Sequence, residues 1–328
     1  MLSFLLKRVS NMVLSLFVIS IVAFIVIQLP PGDFLTTYMA QLTSAGQTVD
    51  NAEVASLNRQ FGLDQPIYVQ YYKWISGIVL RGDFGYSFNF RRPVTALLDE
   101  RMGYSLILAF GTMILVYLLA LPIGVYSAIK QYSIADYVVT LLGFLGLALP
   151  SFLFALIMMY LSNKYLGISV GGLFSPKYEM APWSLERLGD FLSHLWVPMV
   201  VVGLSGTASL IRVMRATMLD ELSQPYVETA RAKGLSEARL ILKYPVRLAV
   251  SPFISTIGWT LPNLISDTAI AAIVLSIPTV GPLLLTALLS QDMYLAGSII
   301  LILSFMTVVG TFISDLLLAW LDPRIRYE

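Results

Sequence analysis

"VLSLFVISIVAFIVIQL", residues 13–29, holds thirteen Leu, Ile, Val or Phe residues and no charge. At roughly 0.3–0.6 kcal/mol apiece, those thirteen favour transfer into a bilayer by about 4–8 kcal/mol. Lys7 and Arg8 precede the run, as in a signal peptide. The run is longer than an ordinary signal core, however, and "QLPPGD" follows it instead of a small-residue cleavage site. The expectation is an uncleaved first membrane span.

The rest of the chain has the same character. Of 328 residues 57% are hydrophobic and only 12% charged, against about 25% charged in an average soluble domain. A soluble core cannot absorb so much apolar surface, so a membrane protein is expected. The net charge of +1 supplies no broad basic field, and no nucleic-acid partner is expected. With no cysteine and one histidine, His194, the chain offers no disulfide, thiolate nucleophile or His/Cys metal cluster. No cofactor or metal site is expected.

Six stretches are long enough to span a bilayer, which takes about 20 residues. They lie near 9–29, 104–129, 136–162, 194–214, 251–275 and 296–320. The predicted fold class is therefore all-α, a polytopic helical bundle. With the N-terminus inside, the cytoplasmic pieces carry Lys7, Arg8, Lys130, Arg212, Arg215, Arg231, Lys233, Arg239, Lys243, Arg247, Arg324 and Arg326. The short outer loops carry only Lys164, Lys177 and Arg187. This excess of inner Lys and Arg predicts both termini in the cytoplasm. Three regions follow: an N-terminal span over 1–29, an extracytoplasmic segment over 30–102, and a core over 103–328 with a charged cytoplasmic loop at about 217–250.

The outer segment contains "LDQPIYVQYYKWISGIVLRGD", residues 63–83. Asp64 or Gln65 can cap a helix, Pro66 suits its first turn and Gly82 its end. Ile67, Tyr68, Tyr71, Trp74, Ile75, Ile78 and Val79 share one face. That face suits an interfacial helix or a docking surface, and it equally suits simple packing on the ends of the spans.

The charged loop contains "YVETARAKGLSEARL", residues 226–240, with Glu228, Arg231, Lys233, Glu237 and Arg239 in an otherwise apolar chain. Pro225 suits a helix start, and Gly234 suits a left-handed helix end. Ser236 can cap a second helix, with Glu237 in its first turn. Leu240, Ile241, Tyr244 and Leu248 recur there at helical spacing, Arg239, Lys243 and Arg247 line another face, and Pro245 should kink it. The expected form is helix, sharp turn at Gly, helix. Small residues Ala230, Ala232 and Gly234 would let another surface approach closely. A solvated loop whose basic residues serve only topology is the plainer reading.

The stretch "YVETARAKG" resembles the EAA loop of ABC importer permeases, with its pattern Glu-x-Ala-x-x-x-Gly. Glu228, Ala230 and Gly234 match that pattern, and Tyr226, Thr229, Arg231, Ala232 and Lys233 match its oligopeptide-type version. "LPPGD" at 29–33, "FGLDQPIYVQYYKWISGIVLRGDFGYS" at 61–87 and "LLLAWLDPRIRY" at 316–327 resemble the same subfamily. The resemblance covers essentially the whole chain. It implies the type I importer permease fold, in a bacterial inner membrane. The first short helix of the loop would be a coupling helix seated on an ATPase subunit, with Glu228 as polar anchor, Gly234 as the turn, and Arg231 and Lys233 as rim contacts. Implied partners are a second, different permease chain, two cytoplasmic ABC ATPase subunits that bind ATP and Mg, an extracytoplasmic solute-binding protein, and membrane lipid. The implied solute is a short peptide. The chain departs from the pattern at "YPVRLAVSP" (244–252), at Leu248 where the subfamily has Asn, and at Ala272 where it often has Glu. Oligosaccharides or glycosides are therefore an alternative solute class.

Within the fifth predicted span, a central Asp267 costs about 2.5–3.5 kcal/mol, against about 3–6 kcal/mol returned by the span's ten Leu, Ile, Val and Phe residues. Asp267 should face protein or a wet path, and it is a candidate for the translocation path together with Asn263. Packing inside the bundle at the bend of Pro262 would satisfy it equally. His194 reads as structural, at the start of the fourth span.

No Gly-x-x-x-x-Gly-Lys-Ser/Thr loop occurs, so this chain is not expected to be an enzyme, and ATP would be hydrolysed by partner subunits. No His-Glu-x-x-His or Gly-x-Ser-x-Gly motif occurs. An ion-coupled secondary transporter remains as a second alternative. It would normally carry internal repeats with interrupted helices, and no such repeat is evident between the halves.

Overall fold

The structure, a computed structural model, describes residues 2–28, 65–87, 89–167, 170–266 and 269–321. Its helices are α1 (Leu2–Gln28), α2 (Ile67–Arg81), α3 (Val94–Ile129), α4 (Ile134–Ala148), α5 (Ser151–Leu161), α6 (Leu185–Leu222), α7 (Pro225–Ala232), α8 (Glu237–Lys243), α9 (Pro245–Ala249), α10 (Ser251–Ser266), α11 (Ala269–Val274), α12 (Val280–Leu289) and α13 (Met293–Leu321). A two-residue hairpin, β1 (Tyr86–Ser87) against β2 (Arg92–Pro93), is antiparallel. Among the described residues, four helices are long and apolar enough to cross a membrane, and up to six crossings result if two bent pairs each count as one.

One bent pair corrects the sequence reading. A single span was expected over 136–162, but α4 and α5 meet at 109°. Pro150 is the cause. It cannot extend the helix, and it forces the residue before it out of helical space; Leu149 accordingly sits at φ −83°, ψ 122°. The fourth span also starts earlier than expected. Ser184 caps α6 by accepting from the Arg187 amide, so His194 falls in the third turn. There it is buried, and its Nδ1–H donates to the Asp190 carbonyl at 2.8 Å.

The chain divides into two compact units, Tyr104–Thr279 with Val309 onward and Leu2–Gly103 with Val280–Val308. In the second unit α2 runs over the predicted residues, from Pro66 to a left-handed Gly82 with φ 65°. Its face splits. Tyr71 and Trp74 pack on Phe24 of α1 with ring centroids 5.5 and 5.6 Å apart, whereas Tyr68, Tyr72, Val79 and Leu80 stay exposed. The same unit fixes its hairpin with a buried acid. Asp292 accepts from Ser87 Oγ at 2.5 Å and from the Asn89 amide, just before α13 begins.

In the first unit α4 and α6 run antiparallel. Gly143 lies against Ala208 and Gly146 against Leu204. At one end Arg215 grips Asp136 with two bonds of 3.0 Å, and Asp136 also accepts from Ser127 Oγ and the Tyr132 amide. A fully buried carboxylate needs such partners. The pair ties α3, α4 and α6 together.

Elsewhere in that unit α10 and α13 cross almost in backbone contact. A Cβ added to Gly258 would lie 2.4 Å from the Thr311 nitrogen, and one added to Gly310 would lie 2.8 Å from Gly258 Cα. The Gly258 amide donates to Ser314 Oγ at 3.1 Å. Pro262, one turn on, removes the helical donor that the Gly258 carbonyl would otherwise accept.

Candidate functional site

The charged loop is built on an apolar floor. In α7, Val227 and Ala230 recur at i, i+3 and turn inward. Val227 is 0% exposed and packs in a cluster with Met214 and Met218 of α6, Leu240 and Ile241 of α8, and Phe253 of α10. The outer side of α7 carries Glu228, Thr229, Arg231 and Ala232, all exposed, and Lys233 follows. Burial on one side and a polar free side on the other make α7 a short rigid knob seated on the spans.

Hydrogen bonds stiffen the knob. Pro225 occupies the first turn, and Thr229 Oγ donates back to the Pro225 carbonyl at 2.9 Å. The Tyr226 hydroxyl donates to Glu221, and burial, reinforced by that carboxylate, pushes the phenol pKa up. Gly234 has φ +78°, a conformation in which an L side chain is strained. Its amide donates to the Arg231 carbonyl at 3.0 Å, closing the turn as expected. Across the turn Arg231 binds Glu237 through two bonds, 2.6 and 3.2 Å. The hydrogen-bonded carboxylate raises the arginine pKa further.

Several expectations need correction. Tyr226 is half-buried and Ala230 is 7% exposed, so neither belongs to the free face of α7. Arg231 is exposed and also engages Glu237 within the loop. Ser236 stands at the cap position of α8 but makes no side-chain cap bond. Pro245 breaks the second helix outright: α8 ends at Lys243, Tyr244 sits at φ −116°, ψ −76°, and α9 begins at Pro245. Leu248 is exposed.

Nearby in the same unit lies a cavity of about 320 Å³. Thr256, Thr260 and Asn263 of α10 face it at i, i+4, i+7, with Trp259 beside them. Ser205 and Ser209 of α6 face it at i, i+4. No charged side chain is found among its described lining residues. Thr256 and Thr260 donate to the carbonyls of Phe253 and Thr256 at 2.9 and 2.7 Å; the Thr256 oxygen also meets the Tyr117 hydroxyl at 3.3 Å, and the Thr260 oxygen keeps its lone pairs for other donors. Asn263 lines this cavity, while Asp267 lies outside the described residues. The serines, threonines and Trp259 were missed from sequence. Their i, i+4, i+7 stripe in α10 was the available signal.

Residues 120–327 match the family "Binding-protein-dependent transport system inner membrane component", and residues 1–109 match its N-terminal companion. The chain belongs to this family of non-enzymatic, multi-pass membrane components of ABC transporters. It is 32% identical over its whole length to the oligopeptide transport system permease protein AppB of Bacillus subtilis strain 168, and covers all of that protein. It is 29% identical, again with full coverage of both chains, to the glutathione transport system permease protein GsiC of Salmonella choleraesuis. Its fold resembles a chain of the inward-facing MetNI methionine ABC transporter, with TM-score 0.53 and 13% identity over 70% of this chain and 97% of that one.

Proposed function

We propose that this chain is one of two permease subunits of an ATP-driven importer for short peptides. The observation that carries the reading is α7: a helix anchored by Val227 and Ala230 that offers Glu228, Thr229 and Ala232 outward. That is the form a lever needs if an ATPase subunit is to pull on α6 and α10. Glu228 is the polar anchor to the ATPase, and Gly234 and the Arg231–Glu237 pair hold the angle between α7 and α8. Two ATPase subunits bind and hydrolyse ATP with Mg, and this chain carries no catalytic group. Both termini and the 217–250 loop face the cytoplasm, and residues 30–102 face a solute-binding protein outside.

Peptides are favoured over oligosaccharides, and over an ion-coupled carrier, by the named substrates of the relatives, an oligopeptide and glutathione. The cavity bounded by Ser205, Ser209, Trp259, Thr260 and Asn263 is this chain's share of the path. Its neutral lining suits a carrier that passes peptides of varied side-chain charge.

The test is uptake by vesicles containing the assembled transporter, loaded with ATP and given the binding protein. Labelled di- to pentapeptides should accumulate, and oligosaccharides should not. Uptake that ignores ATP and follows an ion gradient would refute the reading.

A further inference from the structure

A second feature of the first unit is not used by the coupling loop or the path. Between α4 and α6 lies a cavity of about 220 Å³. Phe144 and Leu147 of α4 and Ala208 and Ile211 of α6 form its apolar part, and Arg212 and Arg215 form its polar end. The two arginines differ. Arg215 is paired with Asp136 through two hydrogen bonds, and the charges of the two offset each other. Arg212 is exposed, and no hydrogen bond or ion pair is found for it among the described residues. The cavity therefore carries one uncompensated positive charge. Such a charge at the margin of a membrane span is costly unless an anion or water meets it.

The register gives the cavity a direction. Asp136 pairs with Arg215, and Gly143 lies against Ala208, so Arg212 is level with Val139 and Thr140. At 1.5 Å per residue, Leu147 lies about 12 Å further along α4. On the other side of Arg212, at the turn between α3 and α4, Tyr126, Tyr132 and Tyr137 are exposed, Tyr132 at 73%. Exposed tyrosines at a span end mark the headgroup level of a bilayer. Away from them the outward surface of α4 is hydrocarbon: Leu141, Phe144 and Leu145 are exposed. A cation at headgroup depth thus opens onto an apolar slot running toward the bilayer centre.

We propose that this slot is a binding site for an anionic phospholipid, with the phosphate on Arg212 and the first part of one acyl chain against Phe144, Leu147 and Ile211. Basic pockets between transmembrane helices are a recognised means of holding acidic lipid headgroups. A protein partner would have to bring its own carboxylate to this depth; the membrane already holds phosphates in that plane. The inference depends neither on the solute nor on the direction of transport.

The test uses the assembled transporter in nanodiscs of phosphatidylcholine with a minor share of phosphatidylglycerol, read by native mass spectrometry of the lipids that stay bound. The wild type should retain phosphatidylglycerol selectively. Arg212→Gln should lower its retention about fivefold or more, the scale of one basic contact. Leu147→Trp, which fills the slot and leaves Arg212 in place, should lower it as well, so loss of charge and loss of shape are separately visible. Added inorganic phosphate should not displace the lipid. Equal retention of both lipids by the wild type, full retention by both variants, or displacement by phosphate alone would overturn the proposal.

Discussion

Arg231 and Glu237 face each other across the turn at Gly234, joined by two bonds of 2.6 and 3.2 Å. Both side chains are exposed, so the pair adds little to the stability of the fold. It joins α7 to α8 across a residue that has no side chain of its own. Reversing one charge should therefore damage transmission more than folding. Arg231→Glu is expected to cut solute-stimulated ATP hydrolysis severalfold with the complex still intact on gel filtration. The swap Arg231→Glu with Glu237→Arg should restore much of it. If Arg231 instead met the ATPase directly, the swap would not rescue.

The floor under α7 should behave in the opposite way. Leu240 is fully buried in the cluster that holds Val227. Leu240→Ala should destabilise the chain by about 2–5 kcal/mol, as large-to-small core changes do. Val227→Asp places an unpaired charge in the same cluster and should prevent accumulation of the chain. Quantitative immunoblotting of membranes, with a thermal-retention assay in detergent, checks both. Normal amounts of a stable Val227→Asp chain would show that α7 is not seated as described.

The crossing of Gly258 and Gly310 admits no side chain. A methyl group at Gly258 meets backbone rather than a movable side-chain end, so α10 and α13 must part. Gly258→Ala is expected to cost about 1–3 kcal/mol and to shift the α10 residues that line the cavity. A lower midpoint in the thermal-retention assay, with impaired uptake, is the predicted pair of results.

In the cavity, Trp259 is the large exposed aromatic beside the polar stripe. Trp259→Ala should raise the KM for uptake of bulky apolar peptides more than for glycine-rich ones, without unfolding the chain. Asn263→Leu should slow uptake of both groups by removing a donor and an acceptor from the lining. Competition uptake with a peptide series distinguishes these outcomes from a uniform loss.

Much of this was legible in the residues. Pro66 and Gly82 bounded α2, Gly234 gave the left-handed turn, and apolar length gave the spans. What stayed hidden was direction. Apolar content measures whether 136–162 can enter a membrane, not whether the helix keeps its heading, and Pro150 turns it by 109°. The Arg215–Asp136 pair was equally hidden, because its partners are separated by 79 positions. At the loop, the resemblance singled out a segment without giving its facing. Tyr226 and Ala230 match it yet point inward, since the i, i+3 pair Val227 and Ala230 is what α6 and α8 bury.

The role proposed for α7 is to carry force between ATP hydrolysis and the spans. The direct measurement is solute-stimulated ATPase activity of the assembled transporter in lipid, with its binding protein, for the wild type, Glu228→Ala and Gly234→Pro. The prediction is strong stimulation by peptide in the wild type, and loss of stimulation in both variants with all subunits still associated. Stimulation that survives unchanged in both variants would contradict the account.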